Sequence, residues 1–293
     1  MNPQPRPAAF VLAATDQGTM IVNRFDRHML AAGQGIGVGY NLLETCAYDP
    51  GEVGVGVALL EMARIFRGGG VVAVDCGANL GVHTVQWARA MTGWGTVLAF
   101  EAQERLFYAL AGNVALNNCF NARVRHAAVA ATCGAVRVPQ PDYCRDGSFG
   151  SLEVRPSAAA EYIGQPIDYT AGAEVPSLSL DSLQLPRLDL IKIDVEGMEL
   201  EVLEGARACL ARCHPLLIVE AFKIDRGAPR LQAWLEAQGY CVFGMGANFV
   251  AVHHADPIRA QIRPGAPPPN TAMAPAPPSA AGKQESPVEI GVA

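Results

Sequence analysis

The sequence predicts an α/β fold in which a largely parallel sheet is covered by helices on both faces. Three observations carry this. Apolar stretches of strand length alternate with helical patterns through the middle of the chain. One stretch, "VVAVDCGANLGVHTV" at 71–85, runs from a buried strand through a glycine turn into a helix. The last two strands are separated by a link too short for a helical crossover, so they should pair antiparallel.

The elements follow in order. In the first 70 residues, "GTMIVNRFDRHM" suggests a strand and 53–66 a helix, read together as a cap on the same domain. Residues 71–75 form the first buried strand, and 82–91 follow with helical spacing. A second strand covers 96–101, and a helix covers 105–118 with Leu106, Leu110, Val114 and Leu116 turned inward. A third strand is expected at 122–129, a fourth at 188–195, then one helix over 198–213. A fifth strand at 216–221, a helix at 230–238 and strands at 241–245 and 248–253 close the domain. Between 133 and 176 lies a long polar, glycine-containing insertion; loops of that length are usually functional or disordered. The domain is expected over 71–255. A Pro/Ala-rich tail, assigned to 256–293 and most marked from Ile262, is too poor in large apolar groups to offset its ordering entropy.

Composition excludes several classes. A net charge of −6 argues against a scaffold that neutralises nucleic-acid phosphates. No apolar run has membrane length. The N-terminus lacks the basic start and apolar core of a secretory signal, so a cytoplasmic protein is expected. Eight cysteines are scattered without a CxxC. Cys209, Cys213 and His214 ("CLARCH") have no fourth ligand to complete a zinc site, so buried, reduced thiols are expected and no metal.

The glycine turn points to a nucleotide-type ligand at the carboxyl ends of the strands. Glu101 ends the second strand, where an acid hydrogen-bonds a ribose diol. The turn reads G-A-N-L-G, not GxGxxG, and offers no phosphate-binding lysine. Asp75 at its mouth would repel a pyrophosphate but suit the sulfonium and ammonium of S-adenosylmethionine. Gly77 and Gly81 would let the backbone approach that ligand, and Asn79 would add a polar contact. "GQGIGVGY" at 33–40 has more glycines, but no strand precedes it and no clear helix follows. It is expected to be a flexible loop.

The stretches "VDCGANLGVHT", "AFEAQ", "NVALNN" and above all "LDLIKIDVEGMELEVLEGA" resemble the FkbM family of S-adenosylmethionine-dependent methyltransferases over roughly residues 71–253. The resemblance implies the Class I methyltransferase (Rossmann-like) fold, a seven-stranded sheet with one antiparallel strand. It implies methyl transfer, mostly to oxygen, on sugars, polyketides or lipids. The acceptor is therefore expected to be a small molecule or glycan. Carried over by position, Asp75, Gly77, Asn79 and Gly81 match the cofactor turn and Glu101 the ribose acid. Ala102 and Gln103 follow where the family often has proline; Ala102 is kept as a cofactor contact. Asp194, Glu196, Gly197 and Glu199 match the family's most specific signature, and Asn113 and Asn117 its spaced asparagines. Glu220 is followed by Ala221, where related chains tend to have histidine.

Methyl transfer is an in-line displacement that depends on alignment and is helped by a base near the acceptor hydroxyl. Lys192, Asp194 and Glu196 alternate and would share one face of a strand end. Asp194 is the first candidate for base or sulfonium contact and Glu196 the second. Glu196 and Glu199 could equally charge-stabilise the next helix start, and the acids could hold Mg²⁺. "GSFGSL" at 147–152 would line the acceptor site or form a hairpin turn. The rival functions are a cofactor- or partner-binding module without chemistry, which Ala221 favours, and an NAD oxidoreductase, which Asp75 disfavours.

Overall fold

In the computed structural model, residues 7–30, 33–156, 160–221 and 228–262 are described. The expected tail from 263 onward lies outside the described residues. In chain order the elements are β1 (Phe10–Thr15), β2 (Gly18–Asn23), β3 (His28–Met29), β4 (Gly35–Ile36), α1 (Val38–Thr45), α2 (Pro50–Arg67), β5 (Val71–Cys76) and α3 (Val82–Ala90). Next come β6 (Gly95–Glu101), α4 (Glu104–Leu116), β7 (Ala122–His126), β8 (Ala128–Val129), β9 (Gly134–Val138) and β10 (Ala173–Leu178). The chain continues through β11 (Leu190–Ile193), α5 (Glu199–Glu204), α6 (Arg207–Cys213), β12 (Leu216–Glu220), α7 (Ala228–Ala237), β13 (Tyr240–Met245) and β14 (Asn248–His253).

Seven strands form the main sheet in the order β13-β14-β12-β11-β5-β6-β7. All run parallel except β14, which is antiparallel to both β12 and β13. This is the Class I methyltransferase arrangement. β5 and β11 lie centrally, so the glycine turn and the 194–199 signature leave the sheet side by side.

Alternation along the strands sorts residues onto two cores. Val71 and Ala73, Leu190, Leu216 and Ile218, and Val250 and Val252 pack toward α2, α3 and α4. Val74 and Cys76, Ile191 and Ile193, and Leu217 and Val219 pack toward α5, α6 and α7. The same parity puts Asp75, Lys192, Glu220 and Asn248 on the α2/α3 face. They stand at or near the carboxyl ends of the parallel strands, because β14 runs the other way. Fully burying an aliphatic side chain contributes about 1.5–3 kcal/mol, so these interior runs fix the register.

Four expectations need correction. The strand expected at 122–129 breaks: 122–126 stays in the main sheet, while β8 joins a small sheet of order β8-β10-β9. The helix expected over 198–213 also breaks. A Cβ on Gly205 would stand 2.3 Å from the Ala130 carbonyl oxygen, and the Asp181 carboxylate accepts from Ala208 and Cys209 N–H to start a new helix. Leu116 is exposed, because it sits two residues past Val114 and turns to the opposite side of α4. The tail boundary at 256 falls too early. Residues Pro257–Gln261 form a 3-10 turn whose Ile258 is fully buried, with Ile262 packed beside it. Arg67 ties this segment down by pairing with both Asp189 and Asp256. Among the described residues no helix is long and apolar enough to cross a membrane.

Candidate active site

A cavity of about 630 Å³ opens at the carboxyl ends of β5, β6, β11 and β12, within the size range of small-molecule and cofactor sites. The glycine turn forms its floor. Gly77 has φ 79°, and a Cβ there would lie 1.7 Å from the Asp194 carbonyl oxygen, so only glycine fits. Gly77 and Ala78 N–H both donate to the Phe100 carbonyl at 3.0 and 2.9 Å, fastening the turn to β6.

Glu101 is buried at the end of β6. Its Oε2 accepts from Asn79 N–H at 2.8 Å and its Oε1 from Gln103 N–H at 2.7 Å. Burial pushes its carboxyl up to about 7, against the pull of those two N–H groups. Gly77, Asn79, Glu101 and Ala102 all line the cavity, as expected of cofactor contacts.

Asp75 and Gly81 do not line it. Asp75 Oδ2 instead accepts from Thr84 Oγ1 of α3 at 2.6 Å. Its side chain sits beneath the turn, directly across the β5–β11 register from Lys192. Gly81 starts α3 with φ 88°, and a Cβ there would stand 2.5 Å from Leu110 Cδ1, so it serves packing. The second Asp75 oxygen, Oδ1, is buried without a hydrogen-bond partner among the described residues.

Asp194 and Glu196 both line the cavity. They do not share a strand face: β11 ends at Ile193, and Glu196 sits in a left-handed turn at φ 58°. Asp194 Oδ2 accepts from Lys192 Nζ at 2.8 Å. Burial works to raise the Asp194 pKa, but the Lys192 charge and hydrogen bond outweigh it and hold the group below the usual range. For buried Lys192, burial works to lower the pKa, and Asp194, Asp75 and Glu52 more than reverse this. Oxygens of Asp194, Glu196 and Glu220 lie within 4.8 Å of one another. Three carboxylates alone do not define a metal centre, and no metal is assigned to them. Glu199 is structural: its Oε1 accepts from Val195 and Gly197 N–H at 3.3 and 3.0 Å, bracing the loop that carries Asp194.

Other residues were not foreseen. His83, in the first turn of α3, has Nε2 3.1 Å from Glu52 Oε1, and Glu52 also accepts from Asn248. Burial works to raise the Glu52 pKa, but the His83 hydrogen bond and the Lys192 charge bring it below the usual value. Tyr48 lines the same wall. Glu52 gave only a helix-start signal in the sequence, and His83 was hidden inside the glycine motif.

The glycine-rich segment at 33–40, expected to be a flexible loop with no clear helix after it, runs into helix α1 from Val38 onward, and Gly35, Ile36, Gly37 and Val38 line the cavity. Opposite stands "GSFGSL", whose Ser148, Gly150, Ser151 and Leu152 line the cavity from a 3-10 turn, Phe149–Ser151, and not a hairpin. Buried Asp26 joins these two walls, accepting from Gly39 N–H at 2.7 Å and Phe149 N–H at 2.9 Å. Asn113 holds β2 to the turn, accepting from Ile21 N–H and donating to the Leu80 carbonyl. Asn117 donates to the Thr19 carbonyl, so both asparagines are structural. In the "CLARCH" stretch, Cys209 is buried and His214 stacks on His253 with ring centroids 3.6 Å apart.

Residues 75–242 match the family model of the Methyltransferase FkbM domain. No curated protein matches the chain in sequence. Among solved structures, a methyltransferase FkbM from Methylobacillus flagellatus KT is similar at 16% identity with a TM-score of 0.42, over 63% of this chain and 44% of that one. A precorrin-6y C5,15-methyltransferase from Geobacter metallireducens is similar at 14% identity and TM-score 0.41, over 71% and 89% of the two chains. The O-methyltransferase TomG from Streptomyces achromogenes, solved with SAM, is similar at 12% identity and TM-score 0.41, over 68% and 79%. The family model covers the glycine turn, the ribose acid and the 194–199 signature together, over more than half of the sequence, and the chain belongs to the FkbM methyltransferase family.

Proposed function

We propose that this methyltransferase moves the methyl group of S-adenosylmethionine to a hydroxyl oxygen of a sugar, glycan or related small molecule. One observation supports this most directly. A single cavity has a ribose-type acid, Glu101, on one side of the glycine turn and the anionic Asp194 on the other. The residues present fit the cofactor. A Cβ would close the cradle at Gly77, and each Glu101 oxygen has a lone pair left for a ribose hydroxyl. When bound, the cofactor supplies an electrophilic methyl group on a sulfonium.

The chain's own residues supply position and charge. Glu101 holds the diol, the 77–80 turn lets backbone approach, and Asp194 keeps negative charge near the reacting end. Because Lys192 holds its pKa low, resting Asp194 is a weak base. It fits charge stabilisation better than proton removal, and Glu196 is the second candidate for the proton. Ala221, which motivated the reading without chemistry, is buried and stands outside the cavity lining. A cytoplasmic setting is part of this proposal and rests on the sequence alone.

The test is Asp194→Asn, assayed with an acceptor found by a labelled-methyl screen. Turnover should fall by about 10²–10³, the scale of losing one preorganised electrostatic group, while affinity for S-adenosylhomocysteine, which lacks the sulfonium, should change little. Wild-type turnover in that variant would remove Asp194 from the reaction.

A further inference from the structure

Beside the glycine turn, the cavity wall holds a buried pair that the roles above leave unused. His83 stands in the first turn of α3, just past Gly81, and is 6% exposed. Its Nε2 lies 3.1 Å from Glu52 Oε1 of α2, while Glu52 Oε2 accepts from the side-chain amide of Asn248 on β14. Each carboxylate oxygen thus has its own neighbour, which gives Glu52 a fixed place from which to orient the imidazole. Trp87 packs edge-on against the His83 ring, with centroids 5.6 Å apart. Nε2 is sealed from solvent, and its approach to Glu52 is close but not linear, as catalytic hydrogen bonds often are before substrate binds. Both His83 and Glu52 line the cavity. His83 is also among the groups that hold the Asp194 pKa down, so it stands near the acid assigned to the reacting end.

An imidazole held by a carboxylate at one nitrogen keeps the other for proton transfer. With the proton on Nε2, toward Glu52, Nδ1 carries a lone pair for the cavity that the ring lines. Among side chains, imidazole has the ordinary pKa nearest neutrality, so it suits proton acceptance near pH 7 better than a carboxylate does. We propose that His83 is the general base of the methyl transfer, with Glu52 and Asn248 as its positioning residues. This rests on the methyltransferase reading above and deepens it, giving the hydroxyl proton an imidazole to go to in place of Glu196. The step balances: the acceptor oxygen bonds the methyl carbon as the carbon–sulfur bond breaks and its electron pair goes to sulfur. The hydroxyl proton moves to Nδ1, forming an imidazolium paired with Glu52, and passes to water once the product leaves. Lys192 on β11 and Asp194 just after it also act on this pair. Glu52 and Asp194, as anions, favour the imidazolium, and Lys192 opposes it.

The test uses the full chain and three readouts, the first two of which need no acceptor. In NMR of the chain with isotope-labelled histidine and bound S-adenosylhomocysteine, the signals lost in His83→Gln should report the Nε2–H tautomer; the Nδ1–H tautomer overturns the proposal. By calorimetry, His83→Gln should bind S-adenosylhomocysteine within about threefold of the native chain; a loss of about tenfold or more makes His83 a cofactor contact and overturns it. With saturating S-adenosylmethionine and the acceptor found by the labelled-methyl screen, kcat of His83→Gln should fall by about 10²–10⁴ with KM for the acceptor little changed. The native kcat should decline on the acid side, and saturating cofactor keeps the Glu101 titration out of that decline. Glu52→Gln should move the decline to lower pH, because losing the anion disfavours the imidazolium. A native kcat in His83→Gln, an acid-side decline that survives in it, or one that does not move in Glu52→Gln overturns the proposal. Failure of S-adenosylhomocysteine to bind the native chain would instead overturn the cofactor reading beneath it, so the two failures are told apart.

Discussion

Cofactor affinity should depend on pH through one buried acid. In the proposed role, Glu101 would have to be a carboxylate to accept from both ribose hydroxyls while its oxygens also serve Asn79 and Gln103 N–H. Burial has pushed its carboxyl up to about 7, so near neutrality the free protein is divided between the protonated and charged forms. The ligand selects the charged form, and binding therefore strengthens as pH rises. The observed dissociation constant scales as one plus the ratio of protonated to charged Glu101. At about pH 8 that factor is about 1.1, and at about pH 6 about 11, so affinity should fall roughly tenfold between them, or about 1.4 kcal/mol. Calorimetry with S-adenosylhomocysteine reads this directly, and on the acidic side binding should release close to one proton, seen as heat that varies with the buffer. Glu101→Gln is the control. It should bind about ten- to hundredfold more weakly at about pH 8, for the lost charge-assisted bond, and show no such slope. A flat profile in the native protein, or the same slope in the glutamine variant, would refute the assignment of Glu101 to the ribose.

Three further outcomes follow from packing and charge. Gly77→Ala combines a left-handed φ with a 1.7 Å approach to the Asp194 carbonyl oxygen; it should cost more than about 4 kcal/mol or prevent folding, read by denaturant titration. Lys192→Met leaves Asp194 without its ammonium, and because 35% of the Asp194 side chain is exposed, a loss of about 2–3 kcal/mol is expected, at or below the low end for broken buried pairs. The Asp194 pKa is depressed in the folded state, so the pair's stabilisation is present above the carboxyl's unfolded value. The gap between native protein and variant should close as pH falls below about 4. Ile258→Ala should cost about 2–5 kcal/mol, since this side chain is fully buried in the core although it lies beyond the last strand; an unchanged denaturation midpoint would show that the 257–261 turn is dispensable.

What was legible in the sequence was whatever short-range pattern determines. Strands β5, β6, β11, β12 and β14 announce themselves because interior strands must be apolar, and the turn after β5 because Gly77 has no substitute. What was not legible depends on contacts distant in sequence. The break at Gly205 is imposed by the Ala130 carbonyl oxygen, and the break after His126 by β10, whose partner β8 follows it. The bond from Thr84 of α3 to one oxygen of Asp75 is likewise not visible in the sequence. Strand parity puts Asp75 on the same face as Lys192.

The same parity gathers Lys192, Glu220 and Asn248 onto one face, and α2 then brings Glu52 against Asn248 from across the whole fold. A charge cluster of that kind has no local signature. Each acid reads singly as a helix start or a strand end. Only the sheet order makes them neighbours. The glycine turn, by contrast, was legible because it lies in one contiguous stretch. The other end of the cavity is built from α2, α3, β11 with its following loop, β12 and β14, segments that the fold alone brings together.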